Sequence, residues 1–145
     1  MALTALAGPV SNFILGIIGV FLYCLVLFSA NAEVVVKAIS RNETLFILVR
    51  VIITFLYYFA YLNFLYMVFN LIPVPPFDGS RIFSSFLPTR VYFSIMRYER
   101  YYLIAILGIS FICSRMFNFS PFSWLADKVF ELVSYPFVLL FNLIF

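Results

Sequence analysis

The chain contains no histidine, and acidic and basic residues together make up only 10% of its 145 residues. Without histidine, a metal bound here must find most of its ligands elsewhere. The scarcity of charge excludes an ordinary soluble domain, which carries about 25% charged residues. Cysteine is scarce too. Cys24 and Cys113 both sit inside apolar runs, where they read as buried thiols acting as small apolar residues. No basic stripe interleaves with aromatics, so nucleic acid is not an expected partner. No basic residue precedes the first apolar run, so no signal peptide is expected at Met1–Pro9. Internal repeats, low-complexity stretches and linkers are absent as well.

What is present is apolar. The chain is 66% hydrophobic, with a mean hydropathy of +1.12. These values predict an all-α integral membrane protein embedded in the lipid bilayer as a single domain over residues 1–145. Apolar runs cover about 10–36, 45–72, 101–117 and 129–145. They predict three to four transmembrane helices, at roughly 20 residues per crossing. The last run is interrupted by Pro136 and preceded by charge, so it either crosses or lies in the interface. The 20 Phe and 10 Tyr read as side chains facing lipid, with Tyr101, Tyr102 and Trp124 suited to the interfacial belts. Arg50, near the start of its run, can snorkel to the interface. Asn63 and Asn70 fall on nearly the same helix face, where Asn63 is expected to bond to a neighbouring helix.

The most polar stretch follows the second run. Asn70-Leu71-Ile72-Pro73-Val74-Pro75-Pro76-Phe77-Asp78-Gly79 places three prolines, a carboxylate and a glycine where a span ends. Proline lacks an N–H and disfavours helix in the residue before it, so the helix must stop there. A carboxylate at membrane depth is costly unless a cation or a partner satisfies it, which singles out Asp78. Residues 73–100 are expected to form an irregular re-entrant or interfacial segment, with half-apolar pieces at Ile82–Leu87 and Val91–Met96. Arg81, Arg90, Arg97 and Arg100 concentrate positive charge there. The positive-inside rule then turns the Asp78 end toward the cytoplasm. Arg81 itself reads as an interfacial charge.

Two patterns matter together: Ala7-Gly8-Pro9-Val10-Ser11-Asn12, expected just before the first span, and Asn70-x-x-Pro73-x-Pro75-x-x-Asp78-Gly79. Alone, the first is an ordinary helix-entry signal, and Asp78-Gly79 could be a turn and cap. In this order they resemble the core of the site-2 protease family of intramembrane zinc metallopeptidases, in its compact bacterial form. The resemblance covers about residues 1–87; beyond that only hydrophobicity matches. It implies that Asp78 is a zinc ligand. Asn70 would contact the substrate carbonyl or the developing oxyanion, and Gly79 would let the chain turn beside the ligand. Gly8, Pro9 and Asn12 would belong to a motif that packs on the catalytic helices, with Pro73 and Pro75 shaping the break. The implied substrate is a transmembrane or membrane-proximal protein segment, and the implied location is a bacterial plasma membrane.

The family's zinc site also needs His-Glu-x-x-His, whose histidines bind the metal and whose glutamate activates water. That motif lies upstream of the Ala-Gly-Pro pattern in the family and is missing from this chain. The chain is therefore expected to be the C-terminal part of a longer protease, or else a shortened inactive relative. Either form should be inactive alone, because a catalytic zinc takes three protein ligands. Two other functions compete: a scaffold that binds transmembrane segments without cutting them, and a transporter or channel component with an ion site at the broken helix. Paired broken helices are usual in transporters, and no second break is visible here.

Overall fold

The computed structural model describes residues 2–31, 36–37, 41–84 and 88–144. Among the described residues, six helices carry the architecture: α1 Ala2–Asn31, α2 Glu43–Asn70, α3 Asp78–Ser84, α4 Thr89–Met96, α5 Glu99–Phe117 and α6 Pro121–Ile144. Among the described residues there is no strand, so the protein is all-α as expected. Helices α1, α2 and α5 are long and apolar enough to cross a membrane. At about 1.5 Å per residue, the 30 residues of α1 and the 28 of α2 exceed the hydrocarbon thickness of about 30 Å.

Several boundaries differ from the sequence expectation. Helix α1 begins at Ala2, so the Ala7-Gly8-Pro9 pattern lies within the helix and not before it. Ala2, Ala5 and Ala7 are strong helix formers, and Pro9 removes only one backbone donor. The hydroxyl of Ser11 donates to the Gly8 carbonyl at 2.8 Å. Residues 32–35, within the expected first run, lie outside the described residues. Helix α2 starts two residues early because Asn42 caps it, accepting the Leu45 N–H on Oδ1 at 3.2 Å. It stops at Asn70, since Ile72 precedes Pro73 and is pushed out of the helical region.

Most of the expected irregular segment is helical. Only 71–77 departs from helix before α3 begins at Asp78. Residues 78–84 contain no proline to stop them; 85–87, the end of the expected Ile82–Leu87 piece, lie outside the described residues. The last apolar run is one continuous helix from Pro121, with Pro136 inside it. Proline suits a first helical position, and a proline within a membrane helix is tolerated where neighbours compensate. The other expected interruption, charge, sits within the first half of α6 as Asp127, Lys128 and Glu131. Lys128 and Glu131 pair at 2.6 Å on the exposed side.

Helices α1, α2 and α6 form the bundle. Helices α1 and α2 run antiparallel, and small residues set their separation. A β-carbon on Gly19 would lie 3.0 Å from that of Ala60, and one on Gly16 would enter the ring of Phe64. Helix association within lipid relies on such close backbone approach, since apolar burial gives little drive there. Val20, Cys24, Ala60, Phe64 and Phe141 form the core. Helix α6 covers it with Phe130, whose ring lies 5.2 Å from Tyr57 and 6.2 Å from Phe64. Further along, Phe141 stacks on Phe28 at 5.9 Å. The aromatics thus divide into an internal stack and an exposed set that includes Phe55, Tyr58 and Phe111. Among the described residues, helix α5 has no buried residue, and its main contact with the bundle is through α6.

Candidate functional site

The site forms where α2 breaks. The Leu71 N–H still donates to the Met67 carbonyl at 3.0 Å, and that of Ile72 to Phe69 at 3.1 Å. Beyond Pro73 the ladder cannot continue, and a tighter turn follows in which the Phe77 N–H donates to the Val74 carbonyl at 3.2 Å. Pro75 is buried and Pro73 exposed; the Pro75–Pro76 peptide is cis. Phe69, in the last turn of α2, fixes this segment. Its ring lies 5.9 Å from Phe77 and 4.6 Å from Phe122 of α6.

Asp78 then opens α3 beside the first turns of α1. A β-carbon at Gly8 would lie 2.9 Å from Asp78 Oδ2 and 3.8 Å from Asn70 Nδ2. Gly8, distant in sequence, thus stands beside a half-buried amide and a half-buried carboxylate of the break, and its missing side chain leaves room for the carboxylate. The carboxylate forms no ion pair among the described residues, where the pair found is Lys128–Glu131. Its face toward Gly8 combines a hard anionic acceptor with an amide donor, a combination suited to a cation and a carbonyl oxygen respectively.

The neighbouring positions explain the placement. Pro9 is buried beside Gly8. Asn12 lies half-buried one turn further along α1, on the face that carries Gly8 and Gly16. Gly79 does not serve as a turn residue, because no glycine among the described residues has a positive φ. It serves close approach instead: a β-carbon there would lie 2.5 Å from the carbonyl oxygens of both Leu71 and Ile72. Asn63 is satisfied within its own helix, donating from Nδ2 to the Phe59 carbonyl at 2.7 Å, and not by a neighbouring helix. Its side chain needs no partner because an i−4 carbonyl is within reach. Gly8 is the residue whose importance the sequence understated. Its pattern reads as a helix entry, and only the antiparallel packing shows it as a wall of the site.

These residues do not by themselves fit a zinc ion. Asp78 offers a single carboxylate, and no group of three or more His, Cys, Asp or Glu side chains among the described residues could hold a metal. A protein zinc site takes at least three.

The chain matches the family description for peptidase family M50 over residues 1–113. It is 36% identical over 105 residues to the Bacillus subtilis protein named "Putative zinc metalloprotease YwhC". That match takes in 72% of this chain and 43% of the relative, so the chain spans under half of that protein's length. No solved structure matches it significantly. The family match includes α1, the break after α2 and the convergence of Gly8, Asn70 and Asp78; the chain belongs to peptidase family M50, the family of the site-2 proteases.

Proposed function

We propose that this chain forms the Asp78 half of a site-2-type intramembrane metalloprotease. In this reading Asp78 is one zinc ligand, and an upstream segment carrying His-Glu-x-x-His provides the others. The observation that supports it is the meeting of Asp78 Oδ2 and Asn70 Nδ2 at Gly8. Asn70 stands beside the ligand as the donor to a substrate carbonyl or to the oxyanion that develops from it. The unwound 71–77 segment offers backbone outside any helix, against which a locally extended substrate can align. The substrate is a transmembrane or membrane-proximal protein segment. The whole chain, 1–145, is one membrane-embedded domain in a bacterial plasma membrane, and its arginines turn the Asp78 end toward the cytoplasm.

The test joins this chain to its His-Glu-x-x-His segment and measures zinc content and peptide cleavage together. Asp78→Ala should remove cleavage and lower bound zinc; undiminished activity would take Asp78 out of the site. Asn70→Ala should keep the zinc and slow cleavage by about 10²–10³, the usual cost of losing one oxyanion donor. A joined protein that binds transmembrane peptides without zinc or cleavage would make the chain a scaffold.

A further inference from the structure

We propose that α4 and the first turn of α5 form a docking surface for anionic phospholipid headgroups, separate from the site at Asp78. Helix α4 is amphipathic. Arg90, Ser94 and Arg97 share one face, while Val91, Ile95 and Met96 share the other. Ile95 and Met96 are partly buried, whereas Arg90, Arg97 and the following Arg100 are exposed. None of these three guanidiniums has a carboxylate partner among the described residues. A groove of about 370 Å³ runs along this stripe, lined by Arg90, Val91, Ser94, Ile95, Tyr98 and Tyr102. Its lining combines a cation and two tyrosines with the apolar Val91 and Ile95.

The position of the groove identifies its occupant. It lies where α5, a helix long and apolar enough to enter a membrane, begins. Arginines and tyrosines at that boundary are at headgroup depth, where snorkelling cations and aromatic belts belong. A phosphodiester headgroup matches the charge, and an acyl chain matches the trough along Val91 and Ile95. Each basic residue near an anionic leaflet favours binding by about fivefold. A guanidinium adds bidentate hydrogen bonds to phosphate oxygens.

The chain reconstituted in nanodiscs of phosphatidylcholine with a minor share of phosphatidylglycerol tests this. Spin-labelled phosphatidylglycerol and phosphatidylcholine are compared for the fraction immobilised by the protein. Several-fold selection for phosphatidylglycerol is expected, and added inorganic phosphate should leave it unchanged. The triple variant Arg90→Gln, Arg97→Gln, Arg100→Gln should bring the selection close to unity. The triple lysine variant should keep most of it, and helicity by circular dichroism should be equal in all three proteins. Absence of selection in the unaltered chain would overturn the proposal. Selection that survives the glutamine variant but is lost in Arg50→Gln would also overturn it, by moving the lipid site to α2. Competition by inorganic phosphate, or by an acidic peptide that displaces lipid completely, would assign the arginines to a soluble anion or a protein partner instead.

Discussion

At the scale of single residues, the two glycines of the site do different work, and substitution separates them. A β-carbon on Gly8 meets the end of the Asp78 side chain at 2.9 Å, which can give way by rotating. Gly8→Ala is therefore expected to leave stability within about 0.5 kcal/mol. On the zinc-ligand role proposed for Asp78, Gly8→Ala in a protein joined to a His-Glu-x-x-His segment should weaken zinc binding by about tenfold or more, the scale for disturbing a ligand's support. A β-carbon on Gly79 meets two backbone carbonyls at 2.5 Å, and backbone at a helix end cannot rotate aside. Gly79→Ala should cost about 1–3 kcal/mol as overpacking and shift Asp78 with it. Unfolding in detergent and zinc titration on both variants distinguish the two effects. Equal loss of stability in both would contradict this account.

At the scale of elements, the α1–α2 contact depends on absent side chains. Gly16 and Gly19 on α1 let Phe64 and Ala60 of α2 approach the α1 backbone. Phe64 is fully buried as a result. Gly108 of α5 is the control, with nothing within 4 Å of a β-carbon placed there. Gly16→Leu should destabilise the bundle by about 1–3 kcal/mol, and Phe64→Ala by about 3–5 kcal/mol. Gly108→Leu should be close to neutral. Denaturant unfolding of the reconstituted chain reads all three, and a costly Gly108→Leu would show that α5 packs against something in the bilayer.

At the scale of the whole molecule, the order of contacts constrains topology. Phe122 at the start of α6 lies on Phe69 at the end of α2, beside the break that leads to Asp78. The chain therefore leaves the Asp78 end after α3 and is back at that end when α6 begins. An even number of crossings lies between these points, although α5 alone has the length and apolarity for one. In Cys24→Ser, Cys113→Ser, a cysteine replacing Ser120 should react with a membrane-impermeant thiol reagent from the same side as one replacing Arg81. Labelling from opposite sides would mean that α5 crosses and that α6 meets α2 differently in the membrane. Many large apolar side chains on all the long helices are exposed, as a lipid-facing surface requires.

Composition and hydropathy were sufficient for the fold class. Long apolar runs with little charge have no stable alternative to helices in lipid, because every backbone group must be bonded within its own segment. Proline chemistry likewise located the end of α2 to within a few residues, and the paired motifs pointed to Asn70 and Asp78. Helix starts were less legible, since Pro9 and Pro136 can interrupt or be absorbed, and only neighbouring contacts decide which. The close approaches at Gly8, Gly16 and Gly79 were beyond reach for the same reason. A glycine's meaning is set by what stands opposite it, here an Asp78 carboxylate, a Phe64 ring and two carbonyls brought there from distant sequence. The absence of histidine already meant that no histidine of this chain stands beside Asp78. The tertiary structure decided that Gly8 comes up against both Asp78 and Asn70, close enough to the carboxylate that a β-carbon there would crowd it.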